Sequence, residues 1–370
     1  MISENTQKKI LFVIPTLQAG GAERVIVNLL KAINREKFSP ALAVVDLRNP
    51  LLMPEIPEDV KIFDLKSGRV LAALPRLFLL IWKLRPSVVF STLAHLNVAL
   101  GILRFVLPCG TVFLARESSV VSEVTKRRRS PTIWRLAYRI FYPQFDRVIS
   151  QSKYMADDLI NNFGLPPRKS VVINNPVDIK KIKKLAEAEN SETPSELKGK
   201  RFFVAVGRLA PVKGFDILLQ AFAMVDLPLY LCIVGDGSEA KRLRDMAGRL
   251  GLTGRVIFAG HRQNPYPLIA RSEALILSSH YEGFPNVVLE ALACGVPVIA
   301  TPAIGGTVEI LSHIPGCKLS VAISADSLAD AIRAWVGETK SPIDSNFVEK
   351  YELGSITSQY EDLFEEALAE

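Results

Sequence analysis

Glu282 and Glu290 are separated by seven residues in the string Ser279-His280-Tyr281-Glu282-Gly283-Phe284-Pro285-Asn286-Val287-Val288-Leu289-Glu290. Gly283 can serve as a turn, and Pro285 falls near a first helical position, where its missing N–H is harmless. The spacing puts one carboxylate just ahead of a helix and the other a turn inside it. A helix start carries free N–H groups and a partial positive charge, so the amides of Asn286, Val287 and Val288 can cradle a phosphate. Glu290 is then placed to accept from vicinal hydroxyls such as those of a ribose. Gly295 ends the helix, and residues 296–300 read as the next buried strand. The piece suits a nucleotide sugar.

A second pair of charges, Arg208 and Lys213, shares the loop Val206-Gly207-Arg208-Leu209-Ala210-Pro211-Val212-Lys213-Gly214. Residues 201–206 read as a strand and 215–224 as a helix, so the loop lies at the carboxyl end of a sheet, where α/β proteins bind ligands. Two cations aimed at a leaving nucleoside diphosphate stabilise the charge it develops. Without that strand–loop–helix setting, such residues are ordinary solvated surface. Gly20 and Gly21, in Gln18-Ala19-Gly20-Gly21-Ala22-Glu23-Arg24, follow the first strand and open the first helix. They let the backbone come close to a ligand, and the helix start favours phosphate or sugar oxygens. His95 starts another helix after a strand and can face a ligand; a core or capping role is its alternative.

The elements that must carry these residues alternate strand and helix, the pattern of parallel sheets covered by helices. In the first half, residues 9–15, 41–46, 61–65, 87–91, 111–115 and 146–150 read as strands and 22–33 as a helix with Val25, Leu29 and Ile33 on one face. Ser152 is a good N-cap for a helix ending near Gly164. After residues 171–178 a second series begins: strands at 201–206, 229–234, 256–259, 274–278 and 296–300, with helices at 215–224 and 239–250. Phe215, Leu218, Leu219 and Phe222 give the first of these helices a clear buried face. Residues 356–368 form an amphipathic terminal helix. Two Rossmann-like halves are the economical reading.

The chain has 370 residues, 49% apolar and 22% charged, a composition that favours two globular domains. No apolar run reaches the roughly 18 residues that span a bilayer, and no signal peptide is evident. Cys109, Cys232, Cys294 and Cys317 are scattered, as free thiols in a reducing cytoplasm would be. Net charge is +12 over residues 1–176 and −5 over 177–370. A basic first half points to an anionic partner. No nucleic-acid motif accompanies the charge, so nucleic acid is not expected. Residues 75–85, and 126–129 with 133–142, mix cations with large apolar side chains. Both can lie on an anionic membrane, aromatic faces down and cations at the headgroups. Each can instead be a helix packed on its own sheet with a solvated basic side.

The string from Ser279 through Ala293-Cys294-Gly295-Val296-Pro297 resembles the signature of the retaining glycosyltransferases of family 4 (glycosyl transferases group 1). That signature is Glu, seven residues, Glu, then a helix closed by a small residue, Gly and Pro. Residues 206–214 are similar to the family's Gly-Arg-Leu…Lys-Gly segment, 18–24 to its first-domain glycine loop, and 229–239 to its strand and Gly-x-Gly turn. Residues 171–178 match its interdomain linker. The resemblance implies an α/β protein of the GT-B fold, two Rossmann-like domains facing a central cleft. Residues 1–176 would be an acceptor-binding, membrane-associating domain and 177–352 the nucleotide-sugar domain, with 353–370 packing back on the first.

In site terms the resemblance implies that Arg208 and Lys213 contact the pyrophosphate. Glu282 sits by a donor hydroxyl, the Gly283 and Phe284 amides hold the hexose, and Glu290 binds the ribose. Gly207 and Gly235 let the backbone approach the nucleotide, and the segment ending at Arg262 reads the base. The sequence has no Asp-x-Asp motif and no metal-ligand cluster, so no metal or other cofactor is expected; Arg208, Lys213 and the helix dipole at Asn286 take that electrostatic role. The expected activity is front-face retaining transfer of a hexose or N-acetylhexosamine from a UDP-sugar to a lipid-linked saccharide, in polysaccharide or lipopolysaccharide synthesis. The enzyme would be cytoplasmic and peripheral at the inner face of the cell membrane. One departure concerns the His that many relatives carry after the fifth strand: here the string is Phe113-Leu114-Ala115-Arg116-Glu117-Ser118-Ser119. Three other readings stay open: a nucleotide-sugar 2-epimerase of the same fold, a catalytically silent donor- or membrane-binding subunit, and a transferase with a soluble acceptor.

Overall fold

A computed structural model describes residues 7–18, 20–107, 110–188, 193–338, 343–344 and 346–370. Cys109 and Ala19 lie outside the described residues. The chain divides into two compact units, one of Met1–Pro176 with Leu353–Glu370 and the other of Val177–Glu352.

The first unit is a seven-stranded parallel sheet: β1 (Lys8–Thr16), β2 (Phe38–Asp46), β3 (Lys61–Asp64), β4 (Val88–Thr92), β5 (Val112–Arg116), β6 (Arg147–Ser150) and β7 (Ser170–Val172). Their order is β3-β2-β1-β4-β5-β6-β7. Helices α1 (Gly21–Ala32), α2 (Val70–Leu84), α3 (Ala94–Leu103), α4 (Val121–Lys126), α5 (Pro131–Phe141) and α6 (Lys153–Phe163) connect them. Alternation along each strand feeds two cores: Ile10, Phe12 and Ile14 enter one, Leu11 and Val13 the other. β2 starts three residues earlier than the pattern suggests, because Pro40 sits where β2 has only β1 beside it, an edge position that tolerates a missing N–H. Ser152 caps α6 by accepting from the Met155 N–H, and Gly164 ends it in the left-handed region.

The terminal helix, Leu353–Ala369, belongs to this unit. It buries Ile356, Tyr360, Leu363 and Phe364. The Phe364 ring meets Phe12, Phe38 and Phe90 edge-on, at centroid separations of 6.4, 5.8 and 5.9 Å.

The second unit holds β8 (Phe202–Val206), β9 (Tyr230–Val234), β10 (Val256–Gly260), β11 (Leu275–Leu277), β12 (Tyr281–Glu282), β13 (Val298–Ala300), β14 (Ile304–Gly305) and β15 (Lys318–Leu319). The main sheet is parallel with order β10-β9-β8-β11-β13-β15; β12 and β14 form a separate two-stranded parallel pair. Its helices are α7 (Ile179–Ala186), α8 (Phe215–Ala223), α9 (Ala240–Arg249), α10 (Tyr266–Ala270), α11 (Asn286–Ala293), α12 (Gly306–Leu311), α13 (Ala325–Gly337) and α14 (Asn346–Glu349). In both sheets the strand order reverses direction once, between β1 and β4 and between β8 and β11. Such switch points leave a crevice at the carboxyl ends of the strands.

Candidate active site

At the switch point of the second unit, the loops after β8 and β11 are locked together. Ser278 Oγ donates to the Lys213 carbonyl (2.9 Å) and the His280 N–H to the Val212 carbonyl (2.9 Å). Gly214 has φ +59°, and a Cβ there would run into the Ser278 carbonyl. Only glycine permits this approach. Its result is an ion pair: Lys213 Nζ lies 2.7 Å from Glu282 Oε1, with the carboxylate 11% exposed. Ser279 Oγ donates to the same oxygen (2.6 Å), and Thr301 Oγ1 holds the Ser279 carbonyl (2.7 Å). Arg208, on the same loop as Lys213, is exposed.

β12 pairs Glu282 with Gly305 of β14, and the Gly306 N–H donates to the Gly283 carbonyl (3.1 Å). A Cβ on Gly306 would stand 2.6 Å from the Phe284 ring. The Gly305–Gly306 turn thus fixes Glu282, Gly283 and Phe284, and the sequence reading did not single it out. The available signal was a second adjacent glycine pair just after a predicted strand, as at Gly20 and Gly21. Pro285 is the N-cap of α11 and Gly295 ends the helix region at φ +74°. The Val288 N–H is bonded to the Pro285 carbonyl (3.0 Å). Of the three amides expected to face a phosphate, this one is committed within its own turn. Asn286 and Val287 are half-buried at the start of α11, as is Glu290 within it. Among the described residues no group of three His, Cys, Asp or Glu is placed to hold a metal ion.

The neighbouring loops are equally tight. Gly235, at φ +142°, presses on the Gly207 carbonyl, while the Gly207 N–H donates to the Val234 carbonyl (3.0 Å). Glu239 is the N-cap of α9, and the Asp236 carboxylate accepts from the Gly237 N–H (2.7 Å). Arg262 follows β10, half-buried, beside an exposed His261. Burial pushes the Cys232 thiol up to about 12, and Cys294 and Cys317 are likewise raised, so all three are inert thiols.

Gly20, Gly21 and His95 stand apart from this cluster in sequence and belong to the first unit, on the loops that flank its own switch point. Gly20 is the N-cap of α1, which Gly21 opens. Glu23, in the first turn of α1, folds its carboxylate onto Gly20, where a Cβ would stand, and accepts from Thr16 Oγ1 (3.2 Å). The chain's own carboxylate thus lies at this helix start. Arg116 and Glu117, at the carboxyl end of β5 in the string that departs from the family pattern, are fully buried. Arg116 donates to Tyr360 Oη (3.2 Å), Thr92 Oγ1 (3.3 Å) and Asn175 Oδ1 (2.5 Å). Glu117 accepts from the Tyr142 and Tyr138 hydroxyls.

The basic patch at residues 126–142 differs in part from the outward aromatic face that a membrane seat would present. Tyr138 and Tyr142 are core residues rather than an outward aromatic face. What α5 exposes is aliphatic: Ile133, Leu136 and Ile140, the first 68% exposed, form one stripe at i, i+3 and i+7. Phe105 and Val106, just past α3, are exposed beside it, with the Phe105 ring edge-on to Phe141. On α2, Leu71, Leu79 and Trp82 are exposed. Lys126, Arg127 and Arg129, just ahead of α5 in the chain, are also exposed. No described helix is long and apolar enough to cross a membrane.

Two parallel-sheet α/β units, each with loops gathered at a switch point, set the architecture, and sequence families identify it. Glycosyltransferase Family 4 matches residues 19–181 and Glycosyl transferases group 1 matches residues 186–349. The chain belongs to these glycosyltransferases and has the GT-B fold. It is 29% identical over 318 residues to the N-acetylgalactosamine-N,N'-diacetylbacillosaminyl-diphospho-undecaprenol 4-alpha-N-acetylgalactosaminyltransferase of Campylobacter jejuni, covering 82% of this chain and 83% of that protein. The lipopolysaccharide core biosynthesis glycosyltransferase LpsE of Rhizobium meliloti is 40% identical over 103 residues, 28% of this chain and 30% of that one. Among solved structures, Anabaena Alr3699/HepE in complex with UDP and glucose superposes with a TM-score of 0.80 at 22% identity, over 97% of this chain and 100% of that one. The lipopolysaccharide outer core galactosyltransferase WaaB has a TM-score of 0.74 at 20% identity, over 97% and 99%.

Proposed function

We propose that this glycosyltransferase is a retaining, metal-independent enzyme that moves a hexose or N-acetylhexosamine from a UDP-sugar to a lipid-linked saccharide. The observation that carries the reading is the Lys213–Glu282 pair at the switch point between β8 and β11. It puts a cation and a carboxylate at one spot, the first for the leaving diphosphate, the second for a donor-sugar hydroxyl. Arg208 supplies the second cation, and Glu290 reaches the ribose. The bond from the anomeric carbon to the diphosphate oxygen breaks as the acceptor hydroxyl oxygen bonds to that carbon on the same face. The hydroxyl proton goes to the departing phosphate oxygen. No cofactor enters this scheme.

Solved relatives in fold were captured with UDP and glucose, and the Campylobacter relative's name specifies a diphospho-undecaprenol acceptor. Both support the choice of donor and acceptor. The exposed stripe of Ile133, Leu136 and Ile140 among cations supports a peripheral seat on the anionic cytoplasmic leaflet, with the acceptor held by the first unit.

UDP release from a panel of UDP-sugars, with and without EDTA, tests the reaction in wild type and Glu290→Ala. Release that survives EDTA and collapses in the variant is expected. Loss in EDTA would sink the metal-free scheme. Tight UDP binding with no release, even with acceptor lipid, would favour a silent donor-binding subunit.

A further inference from the structure

The loops at the carboxyl ends of β4 and β5 in the first unit enclose a recess. Its polar lining is His95, Ser118, Ser119 and Arg128, with Glu117 and Tyr138 also at its wall. Leu93, at the rim, is held at φ +77°, a backbone conformation that a residue with a branched side chain rarely adopts. Such outliers gather at binding sites.

Arg128 brings the positive charge, and among the described residues no carboxylate pairs with it. Its guanidinium lies over the Trp134 ring, 4.4 Å from the centroid. Stacking covers a face of the guanidinium and leaves its N–H edge for hydrogen bonds in the plane. The carboxylates on the surrounding elements are committed elsewhere. Glu123 pairs with Lys126 at 2.6 Å. Asp158 accepts from the Ser122 N–H (2.9 Å) and from Asn162 Nδ2 (2.8 Å). Glu117 takes the Tyr138 and Tyr142 hydroxyls on one oxygen and the Ser118 N–H (3.2 Å) on the other. Burial raises its carboxyl to about 7, which reduces the negative charge it offers the recess at neutral pH.

A guanidinium edge flanked by an imidazole and two hydroxyls is a set of donors. A single planar cation suits a planar monoanion: a carboxylate accepts two parallel N–H bonds from the fork, and the Ser118 and Ser119 hydroxyls can serve its remaining lone pairs. A diphosphate carries more charge than this one guanidinium can balance.

We propose that the recess binds the carboxylate of an acidic acceptor sugar, a hexuronic acid residue of the saccharide that receives the transferred unit. The inference rests on the glycosyltransferase reading and narrows its acceptor to a uronate.

Saturation-transfer NMR titrations on the full chain with UDP present test it. The probes are methyl glycosides of glucuronic and galacturonic acid, those of glucose and galactose, and methyl glucoside 6-phosphate. The uronides should bind at least about tenfold tighter than the neutral glycosides, and tighter than the phosphate. Arg128→Gln should erase that preference, and the milder Ser119→Ala should weaken uronide binding several-fold. Arg168→Gln, which removes an exposed cation at the amino end of β7, should leave the preference intact. UDP affinity, measured by calorimetry, should stay unchanged in all three variants. Equal binding of uronides and neutral glycosides, a preference that survives Arg128→Gln, tighter binding of the phosphate, or no binding of any glycoside would overturn the subsite. Failure of the transferase reading would show separately, as absent UDP affinity and absent UDP release.

Discussion

Lys213 and Glu282, 69 positions apart in sequence, share one hydrogen-bonded ion pair in which the carboxylate is also held by Ser279. The cation that we propose meets the diphosphate is therefore already paired in the free protein. A ligand must compete with Glu282 for it. Glu282→Gln should bind UDP about two- to fivefold tighter, the range expected from releasing a partly exposed pair. Turnover in the same variant should fall, because the donor-sugar contact is lost. Titration calorimetry with UDP, alongside initial rates, separates the two effects; weaker UDP binding would contradict the competition.

Lys213→Ala should lower turnover by about 10²–10³, the cost of removing one preorganised donor from developing charge. Measured on a UDP-sugar with acceptor lipid, a loss under tenfold would move the diphosphate contact elsewhere.

Gly214→Ala forces a side chain into the Ser278 carbonyl at a positive φ. The variant should lose more than about 1 kcal/mol, a fall of roughly 2–4 °C in Tm per kcal/mol for a domain of this size. The loop displacement should also weaken UDP binding, because Lys213 is its neighbour. Calorimetric scanning with and without UDP checks both; an unchanged Tm would show that the loops are not locked.

Glu117 makes stability depend on pH. Its carboxyl is raised from 4.5 to about 7, chiefly by burial, against hydrogen bonds from Tyr142, the Ser118 N–H and Tyr138 that lower it. Between those two values the folded chain keeps the proton and the unfolded chain loses it. The group's contribution is thus full below about 4.5, falls as pH rises to about 7, and is level above. The span is on the order of 3 kcal/mol, at up to 1.36 kcal/mol per pH unit. Glu117→Gln keeps the shape without the charge and should flatten urea stability between pH 5 and 8. An identical slope in the variant would place the raised group elsewhere.

Arg127→Gln with Arg129→Gln should weaken binding to vesicles rich in anionic lipid by about 30-fold, at ~1 kcal/mol per exposed cation. High salt should weaken the wild type in the same direction. Ile133→Ser with Leu136→Ser should reduce binding at every ionic strength. Sedimentation that ignores all four substitutions would remove the membrane seat from the first unit.

Much of this was readable from the chain. Long apolar runs and strong periodicity located β1, β8, β9 and α8 to within a residue or two. The turn chemistry of Gly283, Pro285 and Gly295 located α11. Other features lacked any local signal. β12 and β14 are two residues each, too short for alternation, and exist because the Gly305–Gly306 turn lets them pair. The burial of Arg116 depends on Tyr360, 244 positions away, and that of Glu117 on Tyr138 and Tyr142. A charged pair in a strand end reads as surface until those partners are placed. The aromatic character of α5 misled for a related reason: periodicity identifies a face, but only packing says which face is inward. α13 does carry a local signal, with Ser324 as N-cap and Leu328, Ile332 and Trp335 at helical spacing.

The chain leaves the first unit after Pro176 and returns to it at Leu353, and at this border the Val177 N–H is bonded to the Tyr351 carbonyl (2.8 Å). Synthesis order and completion order are therefore inverted. On the ribosome the first unit's sheet is made early, yet its Phe12, Phe38 and Phe90 must wait for Phe364. At roughly 5–20 residues per second, the intervening 176 residues impose a delay of about 9–35 s. Residues 177–352 carry their two ends side by side and can close first. For that interval the nascent first unit shows an aromatic patch to the cytosol, a surface that a chaperone would cover and that truncation before residue 353 would leave open permanently.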